Sequence, residues 1–290
     1  MRFFHSGICE ADTNTYTDLA VERRRADLSV SGVHYTSAES DGGLWECVEI
    51  TTAEGAKSIG RPIGRYDTLN TGRMDLLCEA GIYDATEEVA KKLCEMVEKS
   101  DAVPERILVV GLGNRELTPD SVGARAAESV RPTMHIKAFD ENTFYSLDCS
   151  EIAVIKPGVT ADSGIETAEI VRGVCRKIMP DLVIAVDSVA TASEERLGSS
   201  IQICDTGIHP GGGIGNLRSA ITREALGIPV IAIGVPTVID SRVFAIKKGA
   251  DAPFGSEGMM VAPKEIDDIV RVAARVIGDG INQAFGICPF

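Results

Sequence analysis

The chain has 290 residues, 44% of them hydrophobic and 25% charged, enough for one large or two modest soluble domains whose core needs no disulfide or metal staple. Its 43 acidic residues against 29 Lys and Arg give a net charge of -14, a surface that repels phosphate backbones and argues against direct nucleic-acid binding. The longest apolar tract, VIAIGVPTVI at residues 230–239, is too short and too Pro/Gly-broken to span a bilayer, so no membrane role is expected.

MRFFHSGICEAD turns polar too quickly for a signal peptide, and the eight cysteines are scattered without a CxxC pair. The expectation is a cytoplasmic protein with reduced thiols and no zinc site. Residues 1–25 are polar, carry the charge cluster VERRRAD and read as an exposed arm. LSVSGVHYT, GLWECVEITT and SIGRPIGRYDTLN follow as short strands and turns, a small β-rich layer at residues 28–70 beside the main sheet. DATEEVAKKLCEMVEKS carries a helical stripe at Val89, Leu93, Met96 and Val97, and Asp84 with Glu87 resembles a capping box.

Strands and helices then alternate. RILVVGL, EIAVIKPGV, DLVIAVD and IPVIAIGVPTVI read as buried strands. TPDSVGARAAESV and GIETAEIVRGVCRKI read as helices, as does PKEIDDIVRVAARVIGDGINQAF, apolar at Ile266, Ile269, Val270, Ala273, Ile277 and Ile281. This is an α/β pattern: an α/β/α sandwich with a mostly parallel central sheet plus a small β-rich N-terminal portion.

The loop GLGNRELTPD begins like a dinucleotide fingerprint at Gly111 and Gly113 but has Glu116 where the third glycine belongs. A glutamate there would face a pyrophosphate, so no nucleotide cofactor is expected. Instead Thr118 suits a helix N-cap, Pro119 the first helical position and Asp120 the second. That places a carboxylate beyond the carboxyl end of a strand, the edge where open α/β sheets bind ligands. An aspartate in a first turn also complements the helix dipole without any chemistry. Asp187, closing DLVIAVD, is a second carboxylate for the same edge. Paired carboxylates cannot both ionise easily, so one can take a proton from water while its partner serves the scissile carbonyl. The plainer role for Asp187 is to cap the turn after it.

In QICDTGIHPGGGIGNLRSAI, His209 with Gly211, Gly212 and Gly213 can clamp a substrate backbone. The stretch lacks the Gly-Lys-Ser/Thr of a phosphate loop. Asp120, Asp187 and His209 together would be a metal-ligand set, though no closely spaced ligand pair supports it. Cys204, five positions before His209, is a conceivable thiolate partner and, more plainly, a buried strand residue.

YTDLAVE, GRYDTLN, VVGLGNRELTPDSVGARA, GIETAEIV, DLVIAVDSVATAS, IQICDTGIHPGGGIGN and LGIPVIAIGVPTVID together resemble, in order, the germination protease family of spore-forming Firmicutes. The likeness runs through residues 17–240 and resumes at APKEIDD. The loop after Val110 also resembles hydrogenase-maturation endopeptidases, which share the α/β/α fold. The resemblance implies an endopeptidase that degrades small acid-soluble spore proteins early in germination, in the forespore or spore core. It implies an atypical aspartic mechanism without cofactor or metal, cleavage after a glutamate, and a homotetramer made as a self-processed zymogen. The family's TPD aspartate falls on Asp120 and its strand aspartate on Asp187. Beside this carry-over, Thr118, His209, Gly211, Gly212 and Gly213 are read from the residues themselves as substrate-binding positions, the glycine-rich loop presenting backbone N–H groups to substrate. Residues 1–16 then stand for the propeptide arm, with the bond after Glu10 as a cleavage candidate, and residues 17–290 for a single peptidase domain. A metallopeptidase using Asp120, Asp187 and His209, or an inactive binding protein on the same fold, are the alternatives. Members carry a longer segment where SRVFAIKKGADAPFGSEGMMVA stands here, and MRFFHSGICEADTNT and MHIKAFDENTFYSLDCS show no strong match.

Overall fold

The computed structural model describes residues 16–23, 30–98, 104–209, 219–244 and 259–287. In chain order the elements are α1 (Ala20–Arg23), β1 (Val33–Ser40), β2 (Gly43–Ile50), α2 (Ala53–Ile59), β3 (Gly64–Asn70) and α3 (Glu79–Glu98). Then come β4 (Arg106–Gly111), α4 (Val122–Ser129), α5 (Met134–Phe139), α6 (Glu141–Ser146), β5 (Glu151–Ile155), α7 (Thr160–Ser163) and α8 (Thr167–Ile178). The chain continues through β6 (Leu182–Thr191), β7 (Ser200–Cys204), α9 (Arg223–Leu226), β8 (Val230–Asp240), β9 (Met260–Val261) and α10 (Ile266–Ala284).

All strands join one sheet in the order β1-β2-β3-β7-β8-β6-β4-β5, with β9 beside β8. β8, β6, β4 and β5 are mutually parallel, the βαβ half expected from the alternating pattern. β1, β2, β3 and β7 are antiparallel and pair onto β8. The N-terminal β-rich portion is therefore not a separate layer but an extension of the main sheet. The join is β7, whose five residues are all buried. SIQIC is too short to announce itself as a strand, and it becomes one by bridging β3 to β8.

Side chains alternate across the sheet, and both faces are covered. On one face Ile107, Val109, Ile184, Val186, Ile231 and Ile233 meet α3, α4 and α10 in a single apolar cluster. On the other face there are two clusters. α8 packs Ala168, Val171 and Cys175 onto Leu108, Val110, Val183 and Ala185. Leu19 and Ala20 at α1, with Ile59 of α2, pack onto Val48, Ile50, Tyr66, Val189 and Ala232.

Three local expectations change. Residues 16–23 are not an exposed arm: Leu19 and Ala20 are fully buried, because LAV is apolar enough to cover the antiparallel strands. TTAEGAKSI is not strand and turn but helix α2, with the Thr52 hydroxyl accepting the Gly55 N–H and Gly60 closing it in the left-handed region. α3 starts at Glu79, so Asp84 and Glu87 sit inside it rather than capping it. Its apolar stripe extends back to Ile82 and Ala85, which outweighs an acidic spacing that fits a helix interior equally well.

Candidate active site

From β4 the chain crosses the α4 face to β5, then returns beneath the sheet through α8 to β6 on the other side of β4. That reversal makes the carboxyl ends of β4 and β6 a switch point, the crevice where open α/β sheets place ligands.

The loop leaving β4 is held by its own polar groups and by both neighbouring strands. Leu112 N–H donates to Val186 O at 2.8 Å, prolonging the β4–β6 pairing by one residue. Gly113 then takes a φ of +87°, and a Cβ on it would lie 2.0 Å from the carbonyl oxygen of Asp120, so only glycine fits. Gly111 and Gly123 serve close packing, since added Cβ atoms would come within 2.3 Å of Gly123 O and 2.1 Å of Val186 O respectively. The glycines after β4 thus seat a helix and a carboxylate on the strand, where the fingerprint would have seated a pyrophosphate.

Asp120 closes a 3-10 turn at Thr118–Asp120, and α4 begins only at Val122. Thr118 is not the N-cap of a continuous helix, nor does Asp120 hold its second position. Pro119 and the tight approach of Gly113 favour one narrow turn before the α-helix can start. Asp120 Oδ2 accepts Asn114 N–H at 2.9 Å. Thr237 Oγ1 of β8 donates to Pro119 O at 2.6 Å, and Ser188 Oγ of β6 accepts Val122 N–H at 3.3 Å. The carboxylate is mounted on a turn tied to two strands.

Asp187 is placed differently from its expected position at a strand end. β6 runs on to Thr191, because its pairing with β8 continues past a bulge at Val189 and Ala190. Asp187 therefore lies within the strand, 4% exposed, on the same face as Val183, Ala185 and Val189. It sits where the α8 cluster ends and the α1–α2 cluster begins. Its Oδ1 accepts Ser188 N–H at 2.9 Å, and Gly234 is its neighbour on β8.

Asp120 and Asp187 line one cleft of about 570 Å³, a size that admits a few peptide residues. His209 lines it too and is exposed, fixed by the two-way pairing of Ile208 with Ile221 at 2.9 Å. The turn contributes Leu117 and Pro119 to the lining but not Thr118, whose carbonyl instead accepts Ser121 N–H and Oγ at 3.1 and 2.9 Å. Gly211, Gly212 and Gly213 lie outside the described residues. Although Asp120, Asp187 and His209 share the cleft, no group of three or more His, Cys, Asp or Glu among the described residues is placed to hold a metal ion. Cys204 is buried at the end of β7, and burial pushes its thiol up, which disfavours a thiolate nucleophile.

The part of the cleft that Asp18 and Gln202 line is a feature that residue-level reading missed. Asp18 lies beside β6, its Oδ2 accepting Ala190 N–H and its own N–H donating to Ala190 O, both at 2.9 Å. Gln202 of β7 clasps the same segment, accepting Ala20 N–H at 2.8 Å and donating to Asp18 O at 3.2 Å. Glu22 accepts from Thr17, Thr191 and Ala192 N–H. Apart from Thr17 to Glu22, these contacts join residues more than 160 positions apart, so nothing local announces them. The motif YTDLAVE carried the only signal, as part of the family likeness.

Comparison with known proteins places this chain among peptidases. The profile of the germination protease family matches residues 10–248. A germination protease of Clostridium perfringens is 36% identical over 93% of this chain and 95% of its own. One from Priestia megaterium is 41% identical over 80% of this chain and 66% of its own. Among solved structures, a [NiFe] hydrogenase maturation protease from Thermococcus kodakarensis is 19% identical, with a TM-score of 0.37 over 66% of this chain and 99% of its own. No described helix is long and apolar enough to cross a membrane.

Proposed function

The chain belongs to the germination protease family, and from that premise we propose that it is an endopeptidase that degrades small acid-soluble spore proteins with Asp120 and Asp187 as a shared acid/base pair. The observation that carries this reading is their convergence: one carboxylate from the turn that follows β4 and one from the adjacent parallel strand β6 line one cleft at a switch point. One carboxylate takes a proton as water attacks the scissile carbonyl carbon. The other, protonated, donates to the carbonyl oxygen. Collapse of the tetrahedral intermediate breaks the C–N bond, and the leaving amine takes up the proton first removed from water. Neither step calls on a metal or cofactor. Peptide N–H groups of residues 209–213 are the proposed contact to the substrate backbone.

The reading extends to a zymogen whose arm, residues 1–16, is removed by self-cleavage, and to a homotetramer acting in the cytoplasm of the forespore or germinating spore. Supporting the first is Asp18, which is fastened to Ala190 of β6 and lines the same cleft as Asp120 and Asp187. The test is incubation of purified, N-terminally trimmed protein with a small acid-soluble spore protein. Wild type should cleave it, and Asp120→Asn and Asp187→Asn should not, with unchanged circular dichroism. Full activity in either folded variant rejects the pair.

A further inference from the structure

β8 carries neither aspartate of the pair, yet both depend on it. Its Gly234 is the ladder partner of Asp187 on β6. Three residues on, the Thr237 hydroxyl donates to Pro119 O at 2.6 Å, on the turn that ends in Asp120. The β6–β8 ladder steps from Val189 with Pro236 directly to Ala190 with Val238, so Thr237 is the extra residue of the bulge. Pro236 brings no N–H to the ladder, which makes this a natural point for the pairing to slip.

Thr237 is fully buried, as are Val235 and Ile239 on the same strand. A valine has nearly the same shape and no polar atom to satisfy, so a hydroxyl here calls for a reason. The bond to Pro119 O supplies one. The neighbouring carbonyls are engaged within the turn: Leu117 O accepts Asp120 N–H at 2.8 Å and Thr118 O accepts Ser121 N–H at 3.1 Å. Pro119 O goes to the strand instead. The peptide plane between Pro119 and Asp120 is thus held on both sides, its oxygen by Thr237 and its N–H by Leu117 O. A fixed plane limits the direction in which the Asp120 side chain leaves the backbone.

We propose that Thr237 is a positioning residue: through Pro119 O it sets the distance between the Asp120 and Asp187 carboxylates, with β8 as the common reference for both. This rests on the reading of the two aspartates as an acid/base pair and adds to it the group that fixes their spacing. Acid/base chemistry on one water depends on that spacing, and a displacement of about 1 Å can lower a rate by about a hundredfold. Thr237 also borders the cleft, so contact with substrate is the rival role, but its hydroxyl proton is already committed to Pro119 O.

The experiment measures kcat and KM on a small acid-soluble spore protein for wild type, Thr237→Val, Thr237→Ser, Thr237→Ala and Asp120→Asn, each per folded molecule as judged by circular dichroism. Thr237→Val should lower kcat about tenfold or more, with KM within about twofold of wild type. Thr237→Ser keeps the hydroxyl and should stay within about threefold of wild type in kcat. That rescue separates positioning from packing, because a residue needed only to fill space would suffer from the lost methyl and not from the lost hydroxyl. If Thr237→Val does not accumulate, Thr237→Ser against Thr237→Ala decides, since the two differ only in the hydroxyl and Ser must exceed Ala about tenfold in kcat. A kcat for Thr237→Val near wild type, a Thr237→Ser no better than Thr237→Ala, or a loss confined to KM overturns the positioning role. With Asp120→Asn inactive, the endopeptidase reading then still stands. Full activity in Asp120→Asn, or wild type that does not cleave the spore protein, overturns both.

Discussion

The two faces of the sheet bury their side chains in different ways. Under α3, α4 and α10 one apolar cluster runs without a break from Trp45 of β2 to Ile152 of β5. Under α8 and the α1–α2 pair the cover comes in two pieces, and the cleft opens between them. β6 belongs to both faces. Ile184 and Val186 point into the closed one, and Asp187 into the gap of the other. A carboxylate in the middle of a buried strand is tolerable because the seam beside it is open, and the same seam supplies the room for a substrate.

The comparison can be pressed most strongly at neighbouring positions of β6. Asp187→Asn is expected to lower kcat by roughly a thousandfold or more while the melting temperature stays within a few degrees, since shape and packing are kept. Ile184→Ala should do the reverse. It leaves a cavity in the closed face and should cost about 3–4 kcal/mol in urea unfolding, with kcat/KM per folded molecule close to wild type. Equal loss of activity from both would mean that the faces are not functionally separate. Gly123→Ala tests their coupling, because its Cβ would meet Val186 O at 2.1 Å and push α4 off β6. It should cost about 1–3 kcal/mol and also reduce kcat through displacement of the Asp120 turn.

The smallest effect is expected at Glu46, on the split face but away from the cleft. Burial would raise its carboxyl, but Arg196, Tyr35 and Asn70, with bonds of 2.6 to 2.8 Å, outweigh burial and hold it below the ordinary glutamate range. A lowered carboxylate contributes stability that is full above the ordinary value and lost as pH falls through the lowered one. Glu46→Gln should therefore be less stable than wild type at neutral pH, with the gap closing in acid. Thermal melts across that range measure it, and a gap that widens toward low pH would contradict the assignment.

Much of the parallel half was legible because its signals are local. β4, β6 and β8 are runs of β-branched residues, and α8 and α10 carry clean apolar periodicity. Asp120 and Asp187 could be picked out because a strand followed by a glycine turn or by polar residues marks a sheet edge. The antiparallel half was read less well. α2 hides in a stretch rich in Thr and Gly, and β7 is five residues long. Residues 16–23 looked like an arm because VERRRAD is charged, although LAV just before it is what the fold buries.

Alone, then, the sequence determined the α/β class, the alternation that builds the parallel strands, the two aspartates and, through its motifs, the family. Those depend on neighbours within a few positions, where spacing and propensity act. Only the tertiary structure decided that the N-terminal strands extend the same sheet, that Asp187 lies within its strand, and that Asp18 and Arg61 line the cleft with the two aspartates. Each of these results from pairing between segments far apart in the chain. Its energy depends on which surfaces meet, and no short stretch of sequence records that.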